Sequence, residues 1–136
     1  MTKNQIPHIG QIAITVSEVK KVLPFYRDVL GLEFLFSAGT GLAFLQSGET
    51  RVMLSTPQGA GAEIGKNSVL YFDVEGIESS YEAMVNKGGT AERKPEMAAQ
   101  MGETELWLAF LRDPDDNLVG LMEEKAAELN TLTQFG

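Results

Sequence analysis

The sequence lacks cysteine altogether and contains a single histidine, His8. Without a thiol there can be no disulfide, no cysteine nucleophile and no thiolate-bound zinc. Positive charge is also scarce, with 11 Lys and Arg against 19 Asp and Glu, for a formal net charge of -8. An acidic chain without a basic cluster repels phosphate backbones, so we expect no nucleic-acid partner. The acidity favours solubility or, alternatively, attraction for a cationic ligand.

Long hydrophobic runs are missing as well. No stretch approaches the ~20 apolar residues needed to span a bilayer. Residues 1–9 are polar and lack the apolar core of a signal peptide. We therefore expect a cytoplasmic protein that does not interact with membranes. The length of 136 residues and a hydrophobic fraction of 43% suit one globular domain, residues 1–136.

What the sequence does contain is an order of elements that occurs twice. A β-branched strand at 9–16 precedes an amphipathic helix that begins after Ser17 and ends at Gly31. Pro24 lies inside this helix and is expected to bend it or to remove a hydrogen bond. Strands are predicted at 32–37, 41–46 and 51–56, and a glycine-rich linker at 58–66. The second half contains a strand at 68–74, a helix at 77–87, a sixth strand within 91–102, strands at 103–111 and 118–122, and a short helix or frayed tail at 126–136.

Residues at matching places in the two halves support an internal duplication. At an offset of 58, Ile12 matches Leu70 and Gly31 matches Gly89. At the module ends the offset grows to 67, and Val52 matches Val119. The alternative is a chance match among common apolar residues. The repeat predicts an α+β fold of two βαβββ modules, about 8–57 and about 68–124, with a C-terminal tail at 125–136.

Two stretches, IGQIAITVSEVKKVLPFYRDVLGLEF and FLRDPDDNLVGLME, resemble the vicinal oxygen chelate superfamily. This superfamily includes glyoxalase I, extradiol dioxygenases, fosfomycin-resistance enzymes and bleomycin-binding proteins. The resemblance spans roughly residues 9–124 and implies that the two modules form a curved mixed sheet around a cleft. It is specific for the fold and says little about the reaction. Asp116 stands where the family often has glycine, so we expect a slightly strained turn there.

The resemblance also gives the places from which metal-dependent members take their ligands. By motif alignment these are Gln11, Met53, Val69 and Gly120. Only Gln11 carries a side chain that binds a hard divalent ion, because a thioether is soft and Val and Gly have no donor. We therefore expect no metal and no cofactor, which argues against glyoxalase I and extradiol dioxygenase activity. His8 is expected to be a solvated side chain that points away from the cleft rather than a ligand.

Strand alternation predicts which side chains face the cleft. The predicted ligand-binding residues are Gln11, Ala13, Arg51, Met53, Val69, Tyr71, Glu105, Trp107, Gly120 and Met122. Asp73 is predicted to face the cleft beside them. An apolar and aromatic lining with a few polar groups is typical of a small-molecule pocket. Trp107 and Tyr71 could stack on a planar ligand or face a cation, or Trp107 could simply fill space.

Three functions follow from these residues. The first is a homodimeric glyoxalase- or bleomycin-resistance-like protein that has lost the family metal and binds or sequesters a small aromatic or cationic molecule. The second is a lyase, isomerase or dioxygenase with a relocated metal site built from Gln11, Asp73 and Glu105. The third is a degenerate member kept for protein–protein contact. No catalytic residue can be assigned, since no serine accompanies His8 and the glycine-rich segment lacks the P-loop Lys-Ser/Thr.

Overall fold

A computed structural model describes residues 5–57 and 63–127 of the chain. Residues 58–62 of the predicted linker and 128–136 of the predicted tail lie outside these described residues. The described part divides into two compact units. The first contains the residues up to Ser68 together with the turn Asp113–Asn117, and the second contains Val69–Arg112 and the chain from Leu118 onward. None of the helices described is long and apolar enough to cross a membrane.

The first unit is built on a four-stranded sheet with the spatial order β1-β4-β3-β2. Its strands are β1 (Gln11–Thr15), β2 (Glu33–Ala38), β3 (Leu42–Ser47) and β4 (Thr50–Ser55). β1 runs parallel to β4, and the other neighbours are antiparallel. The three consecutive strands are joined by tight glycine-containing turns, whereas the parallel pair requires the helical crossover between β1 and β2. The first predicted βαβββ module is confirmed.

The crossover consists of helix α1 (Val19–Pro24) and a π-helical turn at Phe25–Val29. Proline has no N–H to donate to the preceding turn, so the α-helical hydrogen-bond ladder is interrupted at Pro24. In the π-helical turn that follows, the hydrogen bond joins residues five positions apart instead of four. The Leu30 amide donates to the Phe25 carbonyl at 2.9 Å. The predicted effect of Pro24 is thus confirmed. Gly31 follows at φ +83°, a left-handed conformation that ends the helix.

The second unit repeats this order in a sheet arranged β5-β8-β7-β6. Its elements are β5 (Leu70–Asp73), α2 (Ile77–Asn86), β6 (Thr90–Met101), β7 (Thr104–Arg112) and β8 (Leu118–Ala126). β5 is parallel to β8, and β7 is antiparallel to both of its neighbours. Two elements are longer than predicted. β6 occupies the whole segment in which we expected a strand plus a loop, and β8 continues past Met122, where the predicted strand ended.

Each sheet has one covered face and one open face. In the first unit Ile14 and Val16 are buried on the covered face, while Gln11 and Ala13 are exposed. The alternation predicted for the first strand is therefore confirmed. In the second unit α2 packs against β6, β7 and β8. The buried hydrophobic residues of the two units are Ile14, Val16, Val19, Val22, Phe25, Tyr26, Val29, Ala43, Leu45, Val52 and Leu54 in the first, and Ile77, Ala109, Leu111, Val119 and Leu121 in the second.

The turn between β7 and β8 packs into the first unit through hydrogen bonds. The Asp113 carboxylate is buried and accepts bonds from the Tyr26 hydroxyl and from the Asn117 amide and side chain, at 2.7–2.8 Å. Asp115 accepts two bonds from Ser17, both at 2.6 Å. Asp116 adopts φ +68° and is the one non-glycine residue with a positive φ in the described ranges. This left-handed conformation agrees with the expectation that Asp116 occupies a position where the family often has glycine.

Candidate functional site

The open face of the first sheet carries two neighbouring rows of side chains that run across the strands. The strand register places Gln11, Arg51, Gln46 and Glu33 in one row and Ala13, Met53, Phe44 and Phe36 in the next. Side chains of directly paired residues lie on the same face of a sheet, so each row is a set of neighbours. The first row is polar and the second is apolar. We call them the polar row and the apolar row.

Gln11 and Arg51 make the closest contact on this face. The Arg51 Nε–H donates to Gln11 Oε1 at 2.6 Å, and Gln11 Nε2 lies 3.8 Å from the Met53 sulfur. The Arg51 guanidinium carbon lies 5.4 Å from the centre of the Phe44 ring, within the range of a cation–π contact. Both ends of the Gln11 amide are therefore engaged by protein groups. Arg51 is exposed but held on one side by an amide and on another by an aromatic ring.

The apolar row is centred on two stacked phenylalanines. The ring centres of Phe36 and Phe44 are 4.7 Å apart, with an angle of 28° between the ring planes. Phe36 is 50% exposed although it is a large apolar side chain. At the other end of the row Ala13 is exposed and too small to cover its neighbour Met53. Together these residues offer a flat apolar surface beside the Arg51 guanidinium.

The open face of the second sheet combines aromatic rings with an arginine in a similar way. Tyr71 pairs with Gly120, and Phe110 pairs with the same glycine from the other side. The Tyr71 and Phe110 rings make an edge-to-face contact at 5.8 Å. Arg93 lies over Phe110 at 6.0 Å. Gly120 is required here, because a Cβ at this position would be 2.6 Å from Cδ2 of Tyr71.

The other predicted residues of the second sheet divide between its faces. Asp73 and Met122 are paired across β5 and β8 and share the open face with Tyr71. Val69 immediately precedes β5 and is 37% exposed. Tyr71, Asp73, Gly120 and Met122 thus lie on one face, as strand alternation predicted. The structure therefore brings Tyr71, Gly120 and Met122 together on one face, with Val69 next to the strand.

The prediction that Glu105 and Trp107 share the face of Tyr71 and Met122 is wrong by one residue of register. β7 pairs Phe110 with Gly120 and Leu108 with Met122, so it is the even-numbered residues of β7 that lie on the open face. Trp107 pairs with Glu123 on the same side as the buried Ala109. In β7 both sets of alternating residues are apolar, so the hydrophobic pattern did not fix the register.

Trp107 is held by polar contacts on the helix side of the sheet. Its indole N–H donates to Glu105 Oε1 at 3.0 Å, and the Lys125 ammonium lies 4.2 Å from the ring centre. Lys125 also donates to Glu78 of α2 at 2.6 Å, and this hydrogen bond lowers the pKa of Glu78 below its ordinary value. Trp107 thus fills space beside α2, which was the alternative role for this side chain.

The four positions that correspond to the family's metal ligands do not offer a set of hard donors. Met53 has a thioether, and neither Val69 nor Gly120 has a side-chain donor. The Oε1 of Gln11 accepts a hydrogen bond from the cationic Arg51, whose charge would oppose a divalent ion at that oxygen. Among residues 5–57 and 63–127 no three His, Cys, Asp or Glu side chains are grouped closely enough to hold a metal ion. His8 is exposed in a bend before β1. These residues do not fit a catalytic metal.

Sequence reasoning missed three aromatic and charged residues of the open faces. Phe44 and Phe36 were assigned to strands without a facing direction, and Arg93 lay in the least regular segment. The facing direction of Phe44 was not available from β3, because Leu42 and Phe44 in one alternating set and Ala43 and Leu45 in the other are all apolar. Arg93 could not have been found, because β6 contains three register shifts that break the alternation.

Comparisons with known proteins agree with this arrangement. The chain is 29% identical over 121 residues to YraH of Bacillus subtilis (strain 168), covering 80% of this chain and 92% of YraH. It is similar in structure to a lactoylglutathione lyase from Agrobacterium tumefaciens, with a TM-score of 0.71, 19% identity, and coverage of 88% of this chain and 95% of the lyase. TnmS3, an antibiotic binding protein from Streptomyces sp. CB03234, gives a TM-score of 0.72 at 17% identity, with 87% and 96% coverage. At such identities the two structural matches show a common fold.

The family model described as Glyoxalase/Bleomycin resistance protein/Dioxygenase superfamily matches residues 8–121. That range contains the first βαβββ module and the second as far as Leu121 in β8. It also contains the first of the two stretches whose resemblance predicted the fold, and all but the last two residues of the second. The chain belongs to the Glyoxalase/Bleomycin resistance protein/Dioxygenase superfamily.

Proposed function

We propose that this protein binds or sequesters a small molecule with a planar or apolar body, and that it does so without a metal ion. The main support for this proposal is that protein groups already contact both ends of the Gln11 amide. Gln11 is the one residue at the family's ligand positions whose side chain could bind a hard metal ion. Its Oε1 accepts the 2.6 Å hydrogen bond from Arg51, and its Nε2 is directed at the Met53 sulfur. A metal at Gln11 would have to displace an arginine and would find no second hard ligand at Met53.

The composition of the open faces supports a binding role. Exposed aromatic surface at Phe36, which stacks on Phe44 next to Met53, resembles the lining of small-molecule sites, in which apolar groups provide area and a few polar groups orient the ligand. Tyr71, 47% exposed, provides similar surface on the second sheet. The structural similarity to TnmS3 indicates that this fold can serve an antibiotic-binding protein. A binding role fits the absence of an assigned catalytic residue better than the enzyme alternative does.

Metal analysis gives the first test. The protein is purified without chelator or nickel affinity resin, and its metal content is measured by plasma mass spectrometry. We expect less than about 0.1 metal ion per chain, because a site with one weak ligand does not retain an ion. Near-stoichiometric Mn, Fe, Ni or Zn would contradict the proposal and favour a lyase, isomerase or dioxygenase with a relocated site.

Ligand binding gives the second test. A panel of planar aromatic compounds, including bleomycin-type drugs, is titrated by calorimetry before and after dialysis against EDTA. We expect at least one compound to bind with the same affinity in both preparations. Binding that disappears with EDTA would contradict metal independence, and a panel without any binder would contradict the binding function. The predicted homodimer is tested on the same material by sedimentation velocity.

A further inference from the structure

Arg51 on the open face of the first sheet has hydrogen-bonding capacity that the described part of the protein does not use. A guanidinium carries five N–H donors, and only the Nε–H of Arg51 is engaged, by Gln11. The four N–H groups of its terminal nitrogens make no hydrogen bond to residues 5–57 or 63–127. No carboxylate in these ranges lies within 4.0 Å of Arg51.

Among the described residues Arg51 shares this lack of a carboxylate with Lys87, Arg93 and Lys94, in a chain with a net charge of -8. Six other described cationic side chains each have an acidic neighbour within 4.0 Å: Lys20, Lys21, Arg27, Lys66, Arg112 and Lys125. Glu33 is the acidic residue in the same row as Arg51, but it lies two strands away, or about 10 Å at the ordinary strand spacing. The region around the guanidinium therefore remains locally positive.

Arg51 is also fixed in place before any ligand arrives. Gln11 accepts from its Nε at 2.6 Å, and the Phe44 ring lies 5.4 Å from the guanidinium carbon. These contacts leave the edge formed by the two terminal nitrogens as the free side of the group. A restrained guanidinium loses less conformational freedom on binding than a mobile one, which favours affinity for a matching anion. The matching shape is a carboxylate, which can accept two parallel hydrogen bonds from that edge.

We propose that the open face of the first sheet selects anionic ligands, namely aromatic carboxylates whose acid group binds Arg51 and whose ring covers the apolar row. This inference rests on the proposed binding function and adds the charge of the ligand. The polar and apolar rows are two residues apart along the strands, about 7 Å. A fused two-ring carboxylate spans that distance, with its ring over Met53 and its neighbour Phe44. The preference is opposite to the cationic ligand expected from the chain's net charge.

The inference is tested with three probes that share one ring system and differ in charge: 2-naphthoate, 2-naphthamide and 2-naphthylmethylammonium. Each is titrated into the full-length protein, with binding followed by calorimetry and by the side-chain Nε–H resonance of Arg51. We expect naphthoate to bind at least tenfold more tightly than the amide and the amine. The Arg51 resonance should shift with naphthoate alone.

Variants test whether the affinity for naphthoate depends on the Arg51 guanidinium or only on the net charge of the protein. Arg51→Met should reduce naphthoate affinity about tenfold and leave naphthamide unaffected, and Arg51→Lys should retain part of the preference because it keeps the charge without the two-pronged geometry. Arg27→Met removes the same charge from a residue paired with Asp28 and should change nothing. Circular dichroism confirms that each variant is folded before it is titrated.

The outcomes distinguish this inference from the function on which it rests. If all three probes bind equally and perturb Phe36 and Ala13, or if the amine binds most tightly, the anion preference is wrong but small-molecule binding stands. If naphthoate binds Arg51→Met as tightly as the unmodified protein, Arg51 is not the anion site. If no probe perturbs this face at any concentration, the anion preference and binding by this sheet are both overturned.

Discussion

The hydroxyl of Tyr26 donates a 2.7 Å hydrogen bond to Oδ2 of Asp113, and both side chains are buried. Tyr26 lies in the π-helical turn and Asp113 begins the turn before β8, so 87 positions of sequence separate the two residues. Burial, together with the adjacent Asp113 carboxylate, raises the pKa of Tyr26 far above its ordinary value. This shift favours the protonated phenol, which is the form that donates to Asp113.

Removing this hydroxyl should destabilise the protein measurably. Tyr26→Phe leaves a buried carboxylate without one of its donors, and we expect the free energy of unfolding to fall by about 1.5–3 kcal/mol. Urea denaturation followed by circular dichroism measures the change. The matched control is Tyr81→Phe on the half-buried face of α2, which should stay within about 0.5 kcal/mol of the unmodified protein. Equal effects of the two variants would show that the Asp113 contact contributes nothing.

Gly120 should be intolerant of any side chain while Tyr71 is present. A Cβ at Gly120 would lie 2.6 Å from the Tyr71 ring, so Gly120→Ala must displace the ring at a cost of about 1–3 kcal/mol. In a Tyr71→Ala background the same substitution should cost much less, and the difference measures the steric coupling. Gly10→Ala serves as the control, because a Cβ there meets nothing within 4 Å. Additive effects of Gly120→Ala and Tyr71→Ala would refute the coupling.

Acid should weaken the packing of the turn before β8 through Asp115. Burial alone would raise the pKa of Asp115, but hydrogen bonds from Ser17 and Lys21 outweigh it and hold the pKa below the ordinary value of 3.8. A carboxylate whose pKa is lower in the folded state contributes stability above its unfolded pKa and loses it as the pH falls through the folded pKa. We therefore expect the free energy of unfolding to decline below about pH 4. Asp115→Asn should lower stability at pH 7 and flatten this decline; an unchanged slope would contradict the assignment.

The first turn of α2 should depend on a carboxylate from a distant strand. Gly76 precedes the helix and has no side chain, and Glu123 of β8 accepts hydrogen bonds from the Gly76 and Ile77 amides at 2.8 and 2.9 Å. We expect Glu123→Ala to lower the free energy of unfolding by about 1 kcal/mol, as for a lost helix cap. Glu123→Gln keeps an acceptor oxygen and should lose less. Hydrogen exchange of the Ile77 amide, faster in Glu123→Ala, locates the effect.

The sequence predicted the elements better than it predicted which way each strand faces. β1 has polar Gln11 between apolar neighbours, so its alternation was unambiguous and the structure agrees. β7 has apolar residues in both alternating sets, so only the pairing of Phe110 with Gly120 decides that Trp107 lies on the helix side. Such pairing is a long-range property that local composition does not encode.

The contact between Gln11 and Arg51 illustrates a second limit. Gln11 and Arg51 were both predicted to face the cleft. Their hydrogen bond, between residues 40 positions apart, also depends on the register in which the parallel strands β1 and β4 pair. Motif alignment identified Gln11 as the one residue able to bind a metal, and only the structure indicates that an arginine already uses its oxygen.

The turn Asp113–Asn117 makes the contacts of the two βαβββ modules unequal. The turn comes from the second copy in sequence but belongs to the first unit by its contacts. A fragment ending at Ser68 would retain Tyr26, with its hydroxyl facing the place that Asp113 occupies in the whole chain, and would bury that hydroxyl without an acceptor. The two modules thus share one order of elements, whereas the first unit depends on a turn that the chain supplies only after β7.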